Sequence, residues 1–210
     1  MELTEFVNHF IGLLVIANPL SALPAVLRIT RYQSLSEKRH TGLVSAFTAV
    51  IIMLIVTWVG TPLLLILGIK LPSFQVAGGV VLFMMALSML NAEESPIKYT
   101  PEEQKEKQPE LGAIVPLAIP IIAGPGAISN LIVSVNQFPG ILNQFFISIS
   151  AILVCFCLGL ILFFAANLER LLGKSGINII NRLGGLVLAA ISIQTLADGV
   201  MGIFPVLKGP

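Results

Sequence analysis

The sequence predicts an all-α integral membrane protein of six transmembrane helices, arranged as two inverted three-helix repeats with the first and fourth helices discontinuous. Three observations lead there. Hydrophobic residues make up 56% and charged residues 11% of the 210, and the mean hydropathy is +0.94, far from the roughly one-quarter charged composition of soluble domains. The phrase Ile16-Ala17-Asn18-Pro19 returns as Ile122-Ala123-Gly124-Pro125, 106 residues further on. The same offset carries Gly78-Gly79 onto Gly184-Gly185, Val81-Leu82 onto Val187-Leu188, and Leu90 onto Leu196. Unrelated landmarks thus share one register, the mark of a chain built from two related halves.

Uncharged stretches run from Phe6 to Leu27, Thr41 to Ile69, Leu71 to Ala92, and without interruption from Leu111 to Leu168. A membrane span needs about 20 apolar residues, so the last stretch holds two, divided by the turn-like Asn136-Gln137-Phe138-Pro139-Gly140. A sixth span runs from about Gly176 to Gly199, interrupted only by Arg182 and Asp198. The first apolar run follows acidic Glu2 and Glu5 and is too long for a typical signal peptide, so it is expected to stay as a span.

Basic residues set the orientation. Arg28, Arg31, Lys38 and Arg39 follow the first span, Lys98, Lys105 and Lys107 the third, and Arg170, Lys174 and Arg182 flank the join of the fifth and sixth; only Lys70 and Lys208 fall on the other side. Both termini are therefore expected outside, with the odd-numbered spans leading into cytoplasmic loops. Three spans per half is an odd number, so the second copy enters the membrane in the opposite sense. The reading divides the chain into a first repeat over residues 1–92, a charged, proline-bearing cytoplasmic linker over 93–110, and an inverted second repeat over 111–210.

The repeated phrases interrupt helices. Pro19 and Pro24 lie five residues apart in the first span, and each removes a helix hydrogen bond at about 3 kcal/mol in an ordinary helix interior. Pro116, Pro120 and Pro125, with Gly124 and Gly126, make the same argument in the fourth. A lone transmembrane proline would merely kink a helix; two clusters near the midplane in inverted copies point to a solute site. A broken helix frees carbonyls at one end, which suit an ammonium or a cation, and N–H groups at the other, which suit a carboxylate. Asn18, Ser21, Ser129 and Asn130 add uncharged polar groups at this depth, so the pocket suits a small zwitterion.

The glycine pairs are read as close-packing positions between helices, and Gln75 and Asn181, three residues before each pair, as a weaker hint of a polar contact. Cys155 and Cys157 lie at i, i+2 in one span, point to different faces and serve packing. His9 and His40 are read as isolated near membrane boundaries. No HExxH, Cys/His cluster or paired aspartates provides metal or acid catalysis, so neither an enzyme nor a cofactor is expected. Asp198 is a candidate proton or cation coupling site, although an ordinary helix-end position explains it as well. A net charge of +1 and a pI near 7.8 give no sign of a nucleic-acid partner.

The segments IANPLSALPAVLRIT and PLAIPIIAGPGAIS, within six spans in about 210 residues, closely resemble the MarC family of bacterial inner-membrane proteins, whose relatives include the small neutral amino acid transporter SnatA. The resemblance covers essentially the whole chain. It implies a multi-pass inner-membrane protein with unwound first and fourth helices, and it marks Asn18, Pro19, Ser21 and Pro24 together with Gly124, Pro125, Gly126, Ala127 and Ser129. It also implies transport of a small neutral amino acid coupled to a proton or cation gradient. Two rival readings stand beside a carrier: a solute channel lined by the same breaks, and a non-transporting assembly or sensing protein whose kinks serve packing.

Overall fold

A computed structural model describes residues 1–19, 34–91 and 124–208. Over these residues the chain forms six α-helices and no strand: α1 (Leu3–Ala17), α2 (Leu35–Ile66), α3 (Leu71–Leu90), α4 (Pro125–Gln137), α5 (Ile141–Phe163) and α6 (Ala165–Ile203), followed by a 3-10 turn at Pro205–Lys208. Helices α2, α3, α5 and the part of α6 from Ser175 to Ile203 are long and apolar enough to cross a membrane. The other two are short. With 15 residues and 13 residues, α1 and α4 rise only about 22 and 20 Å, against a hydrocarbon core of about 30 Å. The linker over 93–110, Ser21, Pro24, Pro116 and Pro120 lie outside the described residues.

Local chemistry accounts for the ends. Helix α2 begins well before the apolar run, because Ser34 and Glu37 form a reciprocal cap: Ser34 Oγ accepts from the Glu37 N–H at 3.3 Å and Glu37 Oε2 from the Ser34 N–H at 2.7 Å. It ends at Gly68, whose φ of +67° lets the Ile69 N–H reach back to the Leu64 carbonyl at 2.9 Å. The turn expected at 136–140 separates α4 from α5. The sixth span, expected over about 176–199, is the Ser175–Ile203 part of α6, whose backbone leaves helical geometry at Gly173. Pro62 lies inside α2 without ending it, so a single proline near a helix end does not break a span here.

Each half-chain helix packs antiparallel to its counterpart. In the α3–α6 pair, glycines permit backbone approach: a Cβ on Gly79 would lie 2.6 Å from Leu196, and one on Gly185 3.2 Å from Leu90. Positions 106 apart in sequence have exchanged partners, and the glycine pairs act as packing surfaces as expected. Further along the pair, Gly199 abuts Val76 and Gly202 abuts Pro72. Helices α2 and α5 run antiparallel through Gly42 on Leu162, Gly159 on Ala46 and Cys155 Sγ 3.6 Å from Met53 Sδ, with Trp58 Nε1 donating to Ser148 Oγ at 3.2 Å. Cys155 and Cys157 are unbridged.

The cross-pairs match as well. Helix α1 lies along α5, with Phe6 against Phe146 at 6.1 Å between ring centroids and the Met1 amine donating to Asn143 Oδ1 at 2.6 Å. Helix α4 lies along α2, with Gly60 against Ile132 and Asn136 Nδ2 donating to Thr61 Oγ1 at 2.8 Å. The large apolar side chains left outside, among them Phe47, Trp58, Met84, Phe156 and Leu186, form the surface that lipid covers.

A methyl at Gly199 would sit 2.8 Å from the Val76 backbone nitrogen and 3.0 Å from the Pro72 carbonyl oxygen, neither of which can rotate away, whereas one at Gly12 meets nothing within 4 Å. Gly199→Ala should therefore destabilise the detergent-solubilised protein by about 1–3 kcal/mol, and Gly12→Ala should be neutral or stabilise by up to about 1 kcal/mol. Unfolding by denaturant titration in mixed micelles measures both.

Candidate functional site

The end of α1 and the start of α4 are brought together. Helix α1 ends at Ala17 because Asn18 takes the left-handed conformation, φ 39° and ψ 69°, its N–H returning to the Leu14 carbonyl; Asn tolerates that conformation better than most residues. Asn18 Nδ2 donates to Met89 Sδ at 3.2 Å, which ties the break to α3, and Pro19 after it is buried. Helix α4 starts with Gly124 as its extended N-cap and Pro125 in its first turn. There proline suits the helix, since its missing N–H would lack an intrahelical partner anyway.

Gly126 is the contact between the breaks. A Cβ there would stand 2.5 Å from Leu82 Cδ2 and 3.4 Å from Ile16 Cγ2. Leu82 is 1% exposed and Ile16 2%. The C-terminal carbonyls of α1 and the N-terminal N–H groups of α4 therefore end beside each other, on one side chain of α3. No side chain caps the start of α4, and its first intrahelical bond of this turn runs from the Ile128 N–H to the Gly124 carbonyl at 3.1 Å. The N–H groups of Gly126 and Ala127 precede that bond, so they carry the positive end of the helix dipole.

One turn further on, Ser129 is 2% exposed and rests against Gly78. Its Oγ and the Asn130 Oδ1 are buried with no hydrogen-bond partner among the described residues. Ser129 thus faces α3. Asn18 reaches Met89 on α3, Gly126 meets Leu82 and Ile16, and Ser129 meets Gly78; Pro19, Gly124 and Ala127 are buried, whereas Pro125 is exposed. Asp198 does not join them: it is half-buried on α6 next to Gly199, which abuts Val76, about 9 Å of helix short of Leu82 on α3. A cleft of about 300 Å³ opens elsewhere, at the start of α1, lined by Met1, Glu2, Leu3, Phe6, Phe146 and Ile149. Gln75 is buried on α3, and Asn181 Oδ1 on α6 is buried without a partner among the described residues.

His9, read as isolated, has a partner. It sits in the middle of α1, with Nδ1 3.1 Å from Ser134 Oγ on α4 and Nε2 buried without a partner. The signal is in the spacing: His9, Leu13 and Ile16 fall at i, i+4, i+7, as do Ala127, Leu131 and Ser134, so each polar residue shares the buried stripe of its helix. Among the described residues no group of three His, Cys, Asp or Glu is placed to hold a metal ion.

Apolar helices of spanning length around two helix ends that meet inside the bundle define a multi-pass integral membrane protein. The chain belongs to the MarC family: the description "MarC family integral membrane protein" matches residues 3–204. It is similar to the UPF0056 membrane protein YhcE of Escherichia coli (strain K12), 36% identical over 203 residues that cover 95% of this chain and 94% of that one. BU267 of Buchnera aphidicola subsp. Acyrthosiphon pisum is 36% identical over 205 residues, 97% of this chain and 95% of its own. YvbG of Bacillus subtilis (strain 168) is 30% identical over 209 residues, 99% of both chains. Those names say membrane protein and state no cargo. No solved structure matches the chain.

A Cβ on Gly78 would strike the Ser129 side chain, while Ser129 Cα stands 4.0 Å away. Gly78→Ala should weaken the α3–α4 contact, and adding Ser129→Gly should restore much of the loss. In a double-variant thermal unfolding cycle the coupling is expected to exceed about 1 kcal/mol, since the residues share one contact.

Proposed function

We propose that this protein is a secondary transporter of small neutral amino acids or similar small polar solutes across the bacterial inner membrane, working by alternating access and without enzymatic activity. The observation that carries the reading is the meeting of the α1 C-terminus and the α4 N-terminus at Ile16, Gly126 and Leu82. Such an arrangement offers N–H groups and a positive dipole end for a carboxylate, and carbonyls for an ammonium. The unpaired Ser129 Oγ and Asn130 Oδ1 supply further polar contacts once the helices separate. A neutral zwitterion then binds without a buried charged side chain, which a membrane interior would penalise heavily.

The antiparallel course of α1 with α4, α2 with α5 and α3 with α6 supports a six-span inverted repeat. The basic-residue bias supports both termini outside and the linker over 93–110 in the cytoplasm. Ser21 and Pro24 belong to the same site by their place in the first phrase. The resemblance to SnatA-type relatives supports amino acids as cargo and a proton or cation as the coupling ion. A channel would be lined by the same breaks, and a non-transporting partner protein would use them for packing alone.

Reconstituted vesicles separate these readings. A carrier should show saturable uptake of labelled glycine or alanine, accelerated by unlabelled substrate on the far side; a channel would give no such counterflow, and a packing protein no flux. Gly126→Val should abolish binding by forcing Leu82 and Ile16 apart, whereas Asp198→Asn should leave binding intact and weaken only gradient-driven uptake. Normal transport by Gly126→Val together with lost binding in Asp198→Asn would move the site to the end of α6.

A further inference from the structure

Helices α1 and α4 run side by side, in opposite directions, away from the breaks. Ile16 meets Gly126 at the breaks, and His9 meets Ser134 farther along. Between these levels the buried stripe is apolar and closed: Leu13 and Leu131 are each 0% exposed, and Ala127 is 2% exposed. The His9–Ser134 pair is the polar level in this seam, about 9 Å of helix from the start of α1. Ser134 is 4% exposed. Nε2 of His9 has no partner among the described residues, so in either neutral tautomer the ring keeps one polar nitrogen unpaired by them, as a bare acceptor or as an N–H.

The charged and titratable groups on the surrounding helices do not compensate it. On α1, Glu5 Oε2 accepts from the Glu2 backbone N–H at 2.8 Å. Helix α4 carries no titratable residue. Helix α5 carries only Cys155 and Cys157, and Cys155 lies against Met53. On α6 the described side chains are Arg170, Arg182 and Asp198, none of which pairs with His9, whose ring contacts Ser134.

We propose that His9 is a proton-binding site that latches the α1–α4 seam. Neutral His9 and Ser134 hold the two half-helices together. A proton taken from water adds to the lone pair of the unprotonated ring nitrogen, giving an imidazolium with two N–H donors and one positive charge. Ser134 Oγ accepts from one donor; the second, and the charge, need water that the closed seam does not hold. Protonation therefore favours an arrangement in which α1 and α4 part and water enters from the side of the membrane where α1 begins. The proposal rests on the transport reading above, in which this seam is one of the two gates and the proton is the coupling ion.

The test needs no substrate, so it can fail without the transport reading failing. Full-length protein with Cys155 and Cys157 replaced by Ala receives a single cysteine by Leu13→Cys, or by Leu131→Cys should the first not fold, and is reconstituted in vesicles. Its modification by a polar methanethiosulfonate is measured relative to an exposed control, Thr4→Cys, which cancels the intrinsic pH dependence of the thiol. Relative reactivity should rise about tenfold between pH 8 and pH 4.5, because the closed seam must open before the ring can hold the added charge. His9→Asn keeps a nitrogen or oxygen where Nδ1 lies and cannot titrate, so it should abolish the rise; His9→Gln serves if that variant is not monodisperse. Equal relative reactivity at both pH values, or a rise that survives replacement of His9, would overturn the latch. Amino acid flux in the same vesicles reports separately on transport.

Discussion

A helix end inside a lipid bilayer persists only where protein covers it, because hydrocarbon offers no partner for free N–H and carbonyl groups. That constraint organises this molecule. The ends of α1 and α4 are covered by each other and by Leu82, and Gly126 is what allows the approach, since any side chain there would meet Leu82 at 2.5 Å. Helix α3 must in turn stand close enough to present Leu82, Gly78 and Met89 to the breaks. It does so because Gly79, Gly185 and Gly199 let α3 and α6 pack backbone to side chain along most of their length. The break and the bundle around it are thus one packing problem.

Polar groups refine what small residues permit. Asn136 to Thr61, Trp58 to Ser148 and Gln144 to the Thr57 carbonyl join α2 to α4 and α5, and give these long apolar helices a register that uniform lipid-facing surfaces lack. In membranes such hydrogen bonds each contribute about 0.6 kcal/mol on average. Their value is geometric more than energetic. Ser129, Asn130 and His9, like Ser45 on α2 and Asn181 on α6, are different: each keeps a buried polar atom without a hydrogen-bond partner among the described residues.

The helical membrane class was legible because long uncharged runs have few other stable forms. The end of α1 and the start of α4 were legible because Pro125 lies between two glycines and Asn18 is followed by proline, combinations that stop or start a helix by backbone geometry. The glycine pairs declared themselves as contacts through their shared register. What sequence did not reveal was which face meets which: that Ser129 rests on Gly78, and that His9, on the Leu13–Ile16 stripe, meets Ser134. Nor does hydropathy mark the start of α2, because the uncharged run begins at Thr41 whereas the Ser34–Glu37 cap carries the helix through Glu37, Lys38 and Arg39.

The exchange of partners between Gly79–Leu196 and Gly185–Leu90 has a corollary. The two contacts lie about 16 Å apart along the helix pair, one near the middle of α3 and one at its end. They differ in what a side chain would meet first: on Gly79 only Leu196, on Gly185 Met89, the Ala86 carbonyl and Leu90. The repeat thus preserves which positions touch while each copy fills the contact with its own neighbours. The His9–Ser134 pair has no such twin: the 106-residue offset carries these positions to Val115 and Arg28, so the duplication that repeats the scaffold leaves this contact on one side only.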